Sequence, residues 1–118
     1  MVDESLYDRI TGQVSDLALY AIELPPDITI CEPVATIQRV SNPPEGAIDG
    51  TVIRHVARYQ ISIFGQDLTA VRAAREAVKN ATRGYKGGGI KGISIDNDFE
   101  LEPDSGIHHV IIDLLVSH

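Results

Sequence analysis

Residues 58–81 read "RYQISIFGQDLTAVRAAREAVKNA", and within them the apolar period changes from two to nearly four. Through "RYQISIF", Tyr59, Ile61 and Ile63 alternate with Arg58, Gln60 and Ser62, and Ala57 extends the apolar row. Successive strand side chains point to opposite faces, so this is a strand with one face on a core and the other toward water or another subunit. After "GQD" the apolar residues Leu68, Val71, Ala74, Ala77, Val78 and Ala81 recur at helical spacing. Asp67 is placed to cap that helix and Gly84 to end it. The alanines predict close approach to the sheet, and Arg72, Glu76 and Lys79 are spaced for modest pairing along the helix surface.

Upstream, the strand begins at "TVIRHV", and "PVATIQRVSN" at 33–42 reads as its antiparallel partner across the turn-rich "NPPEGAIDG" of 42–50. That connection is longer than a tight hairpin turn. Before it, "DESLYDRITGQVSDLALY" at 3–20 spaces Leu6, Ile10, Val14 and Leu17, then Ala21, at three and four, which predicts one N-terminal helix ending ahead of Pro25 and Pro26. Asp3 and Glu4 suit its positive end, and Gly12 is its soft point.

Downstream, Ile90, Ile93 and Ile95 mark a short strand that gives way to "DNDFELEPDSG". The last strand, "IHHVIIDLLVS" at 107–117, sets Val110, Ile112, Leu114 and Val116 on one face and His109, Ile111, Asp113 and Leu115 on the other. A strand apolar on nearly both faces belongs in the middle of a sheet. The expected fold is α+β in the order α-β-β-α-β-β, an antiparallel four-stranded sheet with the N-terminal and central helices on one face. A length of 118 residues fits a single domain spanning 1–118.

The chain has no apolar run of about 18 residues, and "MVDESLYDRI" carries acids where a secretory signal has a basic patch before an apolar stretch. This predicts a soluble protein, made in the cytoplasm, with no membrane partner. Cys31, the one cysteine, allows neither an internal disulfide nor a cysteine-based zinc site, and no activating motif surrounds it.

The net charge of -7 is unevenly spread. Residues 1–37 hold Arg9 against seven acids, residues 38–92 hold nine bases against four acids, and residues 93–118 hold six acids and no base. Such segregation either makes complementary patches between stacked copies or neutralises itself within each subunit.

"KGGGIKG" at 86–92 contains the spacing G-x-G-x-x-G, but it follows a helix and precedes a strand. A dinucleotide site needs the opposite order, with a helix N-terminus facing the pyrophosphate. The segment therefore reads as a mobile helix-to-strand connection, with Lys86 and Lys91 available for acidic contacts. Counted from Asp96, the sixth and twelfth positions of a calcium loop hold Leu101 and Ile107, which lack the turn glycine and the bidentate glutamate. Asp96, Asp98, Glu100 and Glu102 fit an exposed strand or loop face with Phe99 and Leu101 opposite. His108 and His109 point to opposite faces, a site of His55, His109 and Asp113 needs fortunate strand pairing, and no nucleophile motif is present. Arg39, Arg54 and Arg58 can gather near Tyr59 on adjacent strands, yet six aromatics and an acidic total make a poor nucleic-acid surface.

The segments "PVATIQRVSNPPEGAIDG", "RYQISIFGQDLTAVRAAREAVKNA", "GGGIKGISIDNDFE" and "GIHHVIIDLLV" together resemble the tail terminator, or tail completion, proteins of long-tailed bacteriophages, a group of minor tail proteins. The triple glycine and the acidic run depart from that pattern. The resemblance implies a non-enzymatic structural protein without cofactor or metal. It implies self-association into a ring, commonly hexameric, that caps the tail tube, stops tube polymerisation and offers the head-tail joining surface. Tail-tube protein and capsid connector protein are the implied partners, and DNA passes through the ring without specific binding. The implied location is the virion tail at the head-tail junction, reached from the bacterial host cytoplasm during assembly. Arg54, Arg58, Lys86, Lys91, Asp96, Asp98, Glu100 and Glu102 are the candidate assembly-interface residues, and acids lining the ring channel would repel passing DNA. A head-side completion or adaptor protein, or a small α+β enzyme or ligand-binding subunit with polar groups around a concave pocket, are the alternatives.

Overall fold

The alternation of residues 57–63 becomes the middle of a sheet, and the stripe that follows becomes a helix across it. The computed structural model describes residues 2–14, 17–21, 33–41, 44–46, 52–104 and 106–118. Among these the order is α1 (Val2–Gln13), β1 (Ala18–Ala21), β2 (Val34–Ser41), β3 (Pro44–Gly46), β4 (Val52–Gly65), α2 (Leu68–Thr82), β5 (Gly92–Asp104) and β6 (Ile107–Ser117). The sheet runs β1-β2-β4-β6-β5, with β3 pairing β4 off that path. Cys31, Pro25, Pro26 and residues 47–50 lie outside the described residues.

β6 stands between β4 and β5, as its doubly apolar pattern requires. Its register sets Leu114, Ile112 and Val110 opposite Tyr59, Ile61 and Ile63, and all six side chains are buried. Leu6, Ile10 and Val14 of the α1 region join Val71, Val78 and Ala81 of α2 over this row, so both helices cover one face. Asp67 caps α2 by accepting the Thr69 backbone N–H at 3.0 Å. At its other end the carbonyl of Ala81 accepts Arg9 Nε at 2.8 Å, a cation where the helix dipole is negative. The Arg9 guanidinium also lies over the Tyr85 ring, 4.5 Å from its centre.

The four-stranded, wholly antiparallel sheet is overturned. β1 lies parallel to β2, from Ala18 opposite Val34 to Ala21 opposite Ile37, and makes the sheet mixed. Leu17 to Ala21 belong to this strand and its approach, while the helix stops at Gln13. Leu17 and Ala21 have helical spacing, but Leu17 and Leu19 also have strand spacing, and both leucines are buried while Ala18 and Ala21 are exposed. A short apolar run satisfies either period. Gly12 weakens the helix, and the open edge of β2 supplies backbone partners that a continued helix would leave unpaired.

Close approach of α2 is sharpest at Gly65, where a Cβ would stand 2.6 Å from Val71 Cγ2. Val71 is fully buried, so Gly65→Ala forces it to move. The expected cost is about 1–3 kcal/mol, read as a lower urea midpoint with the slope unchanged. An unchanged midpoint contradicts this packing.

The glycine passage is a closed turn rather than a loose connection. Gly87 and Ile90 exchange both backbone hydrogen bonds at 2.9 Å, and between them Gly88 and Gly89 have φ of 58° and 88°. Positive φ at both centres is the type I′ pattern. Gly88 O accepts the Ser5 hydroxyl at 2.7 Å, and a Cβ on Gly88 would run into that hydroxyl. Lys91 N–H donates to Ser117 O at 2.7 Å. The amides of Gly87, Ile90 and Lys91 are thus engaged within the chain rather than turned toward a phosphate.

Candidate functional site

β5 is longer than the short strand expected, and one residue in it determines where its acids point. The register passes from Ile95 opposite Leu114 to Asn97 opposite Asp113, leaving Asp96 as a bulge. A bulge shifts the strand alternation by one. Before it, Ile93 and Ile95 share the helix-covered face with Val116 and Leu114. Beyond it, Asp98 and Glu100 take that face, opposite Ile112 and Val110, and Phe99 and Leu101 turn to the other face beside Ile111 and His109.

The acids on the helix side meet the basic edge of α2. Arg72 grips Glu100 with both branches of its guanidinium, Nε to Oε1 at 2.7 Å and Nη2 to Oε2 at 3.1 Å, and Arg75 Nη1 donates to Oε1 at 3.3 Å. Lys79 Nζ donates to Asp98 Oδ2 at 2.7 Å. Glu76 has Lys79 and Arg75 each at 3.8 Å, whereas Arg72 turns away from it to Glu100. On the open face, Arg58 Nη1 donates to Asp96 Oδ2 at 2.6 Å.

These contacts hold two carboxylates below their ordinary range. For Asp98 the main cause is the hydrogen bond from Lys79, and for Glu100 that from Arg72; burial opposes both. His109 is displaced downward by burial alone. Its ring stacks on Phe64 with centres 4.2 Å apart, and its Nε2 is buried without a hydrogen bond.

The signs give a two-stage acid response. As pH falls below the ordinary histidine value of 6.5, the unfolded chain takes up a proton that folded His109 resists, so stability drops. The depressed carboxylates stabilise the fold above their ordinary values of 3.8 and 4.5, and that stability is lost as pH falls through their lower folded values. Denaturant midpoints across pH should show the first stage flattened in His109→Gln and the second reduced in Asp98→Asn. Curves parallel to wild type contradict the assignment.

The candidate interface residues therefore divide. Asp96, Asp98, Glu100 and Arg58 are held in ion pairs within the subunit, which is the self-neutralising outcome of the charge segregation. Lys86, Lys91 and Glu102 are exposed and without side-chain partners among the described residues. The side chain of Arg54 lies outside the described residues, and its backbone pairs with Glu45. The expected arginine cluster is split: Arg39 lies over Tyr59, 5.7 Å from the ring centre, while Arg58 is on the opposite face.

The open sheet face carries Phe64, His109, Ile111, Phe99 and Leu101 as neighbours across β4, β6 and β5. Phe99 and Leu101 keep 37% and 42% of their surface exposed, an apolar rim suited to contact rather than to solvent. Glu4, Tyr7, Asp8, Ile37, Arg39 and Tyr59 line a groove. Tyr7, on this groove, donates from its hydroxyl to Leu19 O at 2.8 Å. Among the described residues no group of three His, Cys, Asp or Glu side chains could hold a metal ion. Sequence reasoning missed the bulge, whose only signal is the alternating acids and the basic spacing of Arg72, Arg75 and Lys79; Phe99 and Leu101 do lie opposite the acids, but it is they, and not Asp98 and Glu100, that take the open face.

No protein-family model matches the chain, and no curated protein matches it. In three dimensions it is similar to a chain from the virion of a native gene transfer agent particle. The TM-score is 0.64 at 15% identity, over 95% of this chain and 90% of that one. At that identity the likeness is one of fold.

Proposed function

We propose that this chain, as one domain, is a structural assembly protein of a phage-like particle that works as a tail terminator. Copies of it close into a ring, six being the expected number, which caps the tail tube at the head-tail junction, halts polymerisation and receives the capsid connector. The observation that carries this reading is the fold likeness, along nearly the whole of both chains, to a virion component. The apolar rim of Phe99 and Leu101 supports it, because a ring or tube neighbour would cover what a solitary subunit leaves exposed. Cyclic closure suits the task, since two unlike edges on each subunit generate a ring matched to the tube below. A channel lined by the β5 acids would carry less charge than their number implies, because Asp96, Asp98 and Glu100 are neutralised within the subunit.

The test is assembly of tail-tube protein with and without this chain. Tubes should stop growing and carry the chain along when pelleted. Binding to connector rings but not to tubes indicates a head-side adaptor instead, and binding to neither removes the proposal.

A further inference from the structure

Like charges stand together unrelieved at two neighbouring places on the molecule. The first is the hairpin after α2. Its closed Gly87–Ile90 pair and the bond from Gly84 N–H to Ile93 O at 3.0 Å lay residues 84–87 alongside 90–93. Lys86 and Lys91, both exposed, are thus neighbours on two arms that run about 5 Å apart. Arg83, exposed just ahead of the hairpin, adds a third cation. The second place is α1, where Glu4 and Asp8 stand exposed, one turn apart on the side away from buried Leu6 and Ile10. Residues so spaced have about 5–6 Å between their Cβ atoms, and like charges there destabilise a helix. None of these four side chains has an ion-pair partner among the described residues. Ser5, beside Glu4, donates its hydroxyl to Gly88 O at 2.7 Å, so the acidic ridge and the basic tip lie side by side. Arg9, the base nearest the ridge in sequence, is committed to Ala81 O and the Tyr85 ring.

We infer that a second copy of this chain docks on this surface about a twofold axis, the Lys86–Lys91 tip of each copy on the Glu4–Asp8 ridge of the other. Adjacent patches of opposite sign make a surface complementary to itself, which an isologous contact requires. A head-to-tail contact needs them on opposite sides of the subunit instead, and the Ser5–Gly88 hydrogen bond holds them together. The spacing of the two lysines matches that of the two carboxylates, so each half of the contact joins two ion pairs and relieves both repulsions at once. Phe99 and Leu101 take no part, since they lie on the face of the sheet away from α1. The contact does not depend on the tail-terminator reading, since it belongs to the free chain.

The experiment is sedimentation equilibrium of the full chain, of the tip variant Lys86→Glu with Lys91→Glu, and of the ridge variant Glu4→Lys with Asp8→Lys. At low ionic strength wild type should dimerise with concentration, and about 1 M salt, where the screening length is about 3 Å, should weaken the dimer. Each variant sets like charges together in both halves of the contact and should dimerise at least about tenfold more weakly. An equal mixture of the two variants should recover the wild-type affinity, because both halves of the mixed dimer again join opposite charges. The chain exchanged at all four positions should recover it too, which separates the contact from any loss of folding. A wild type that stays monomeric, or a mixture no tighter than its components, overturns the inference. Tube capping by wild type and both variants alike, with no dimer seen, overturns it and leaves the ring reading standing.

Discussion

Ile61→Ala should lower the free energy of unfolding by about 2–5 kcal/mol. Ile61 is fully buried in β4, between Ile37 of β2 and Ile112 of β6, on the face beneath the helices. Truncation removes three buried carbons from a row held on both sides by backbone ladders, so the surrounding structure can collapse only in part. Against a total of about 5–15 kcal/mol for an ordinary domain, this is a large share. Urea denaturation checks it, with Ser62→Ala on the opposite face as the comparison. A loss below about 1 kcal/mol for Ile61→Ala means that the core row is not packed as described.

The second large effect should appear in association and spare the fold. Replacing Phe99 and Leu101 together with serine removes the two most exposed apolar side chains of β5, at 37% and 42%. A large apolar side chain contributes about 1.5–3 kcal/mol on full burial. The subunit already covers more than half of each, so a partner that covers the rest gains about 1–3 kcal/mol from the pair. Affinity for tail tubes should fall by about ten- to a hundredfold in a pelleting titration. The melting temperature should stay within a few degrees of wild type. Unchanged tube affinity removes the open face from the contact, and collapse of the fold shows that these side chains serve the core instead.

Elements with a sustained period were legible in the sequence. β4, α2 and β6 each repeat their pattern several times, and Ala57, Tyr59, Ile61, Ile63 and the even residues of 110–116 are buried together. β1 escaped because "LALYA" satisfies both periods, and partnership with β2 decides between them. β5 looked short because its acids and Pro103 resemble loop chemistry, although neighbouring bases on α2 make the acids tolerable in a strand. The bulge at Asp96 depends on one unpaired residue, which no period reveals, and it brings the acids to Arg72 and Lys79. The Gly88-Gly89 turn was readable in principle, since two adjacent glycines are a hairpin signal. The charge segregation alone leaves two outcomes open, and the bulge favours the self-neutralising one by bringing Glu100 to Arg72 and Asp98 to Lys79.

Particle-averaged imaging of tail tubes assembled with this chain tests the central claim most directly. The account predicts a closed ring of copies of the chain, six being expected, seated on one end of tubes whose growth has stopped. Tube ends without added density, or the chain bound along tube walls while growth continues, would contradict it.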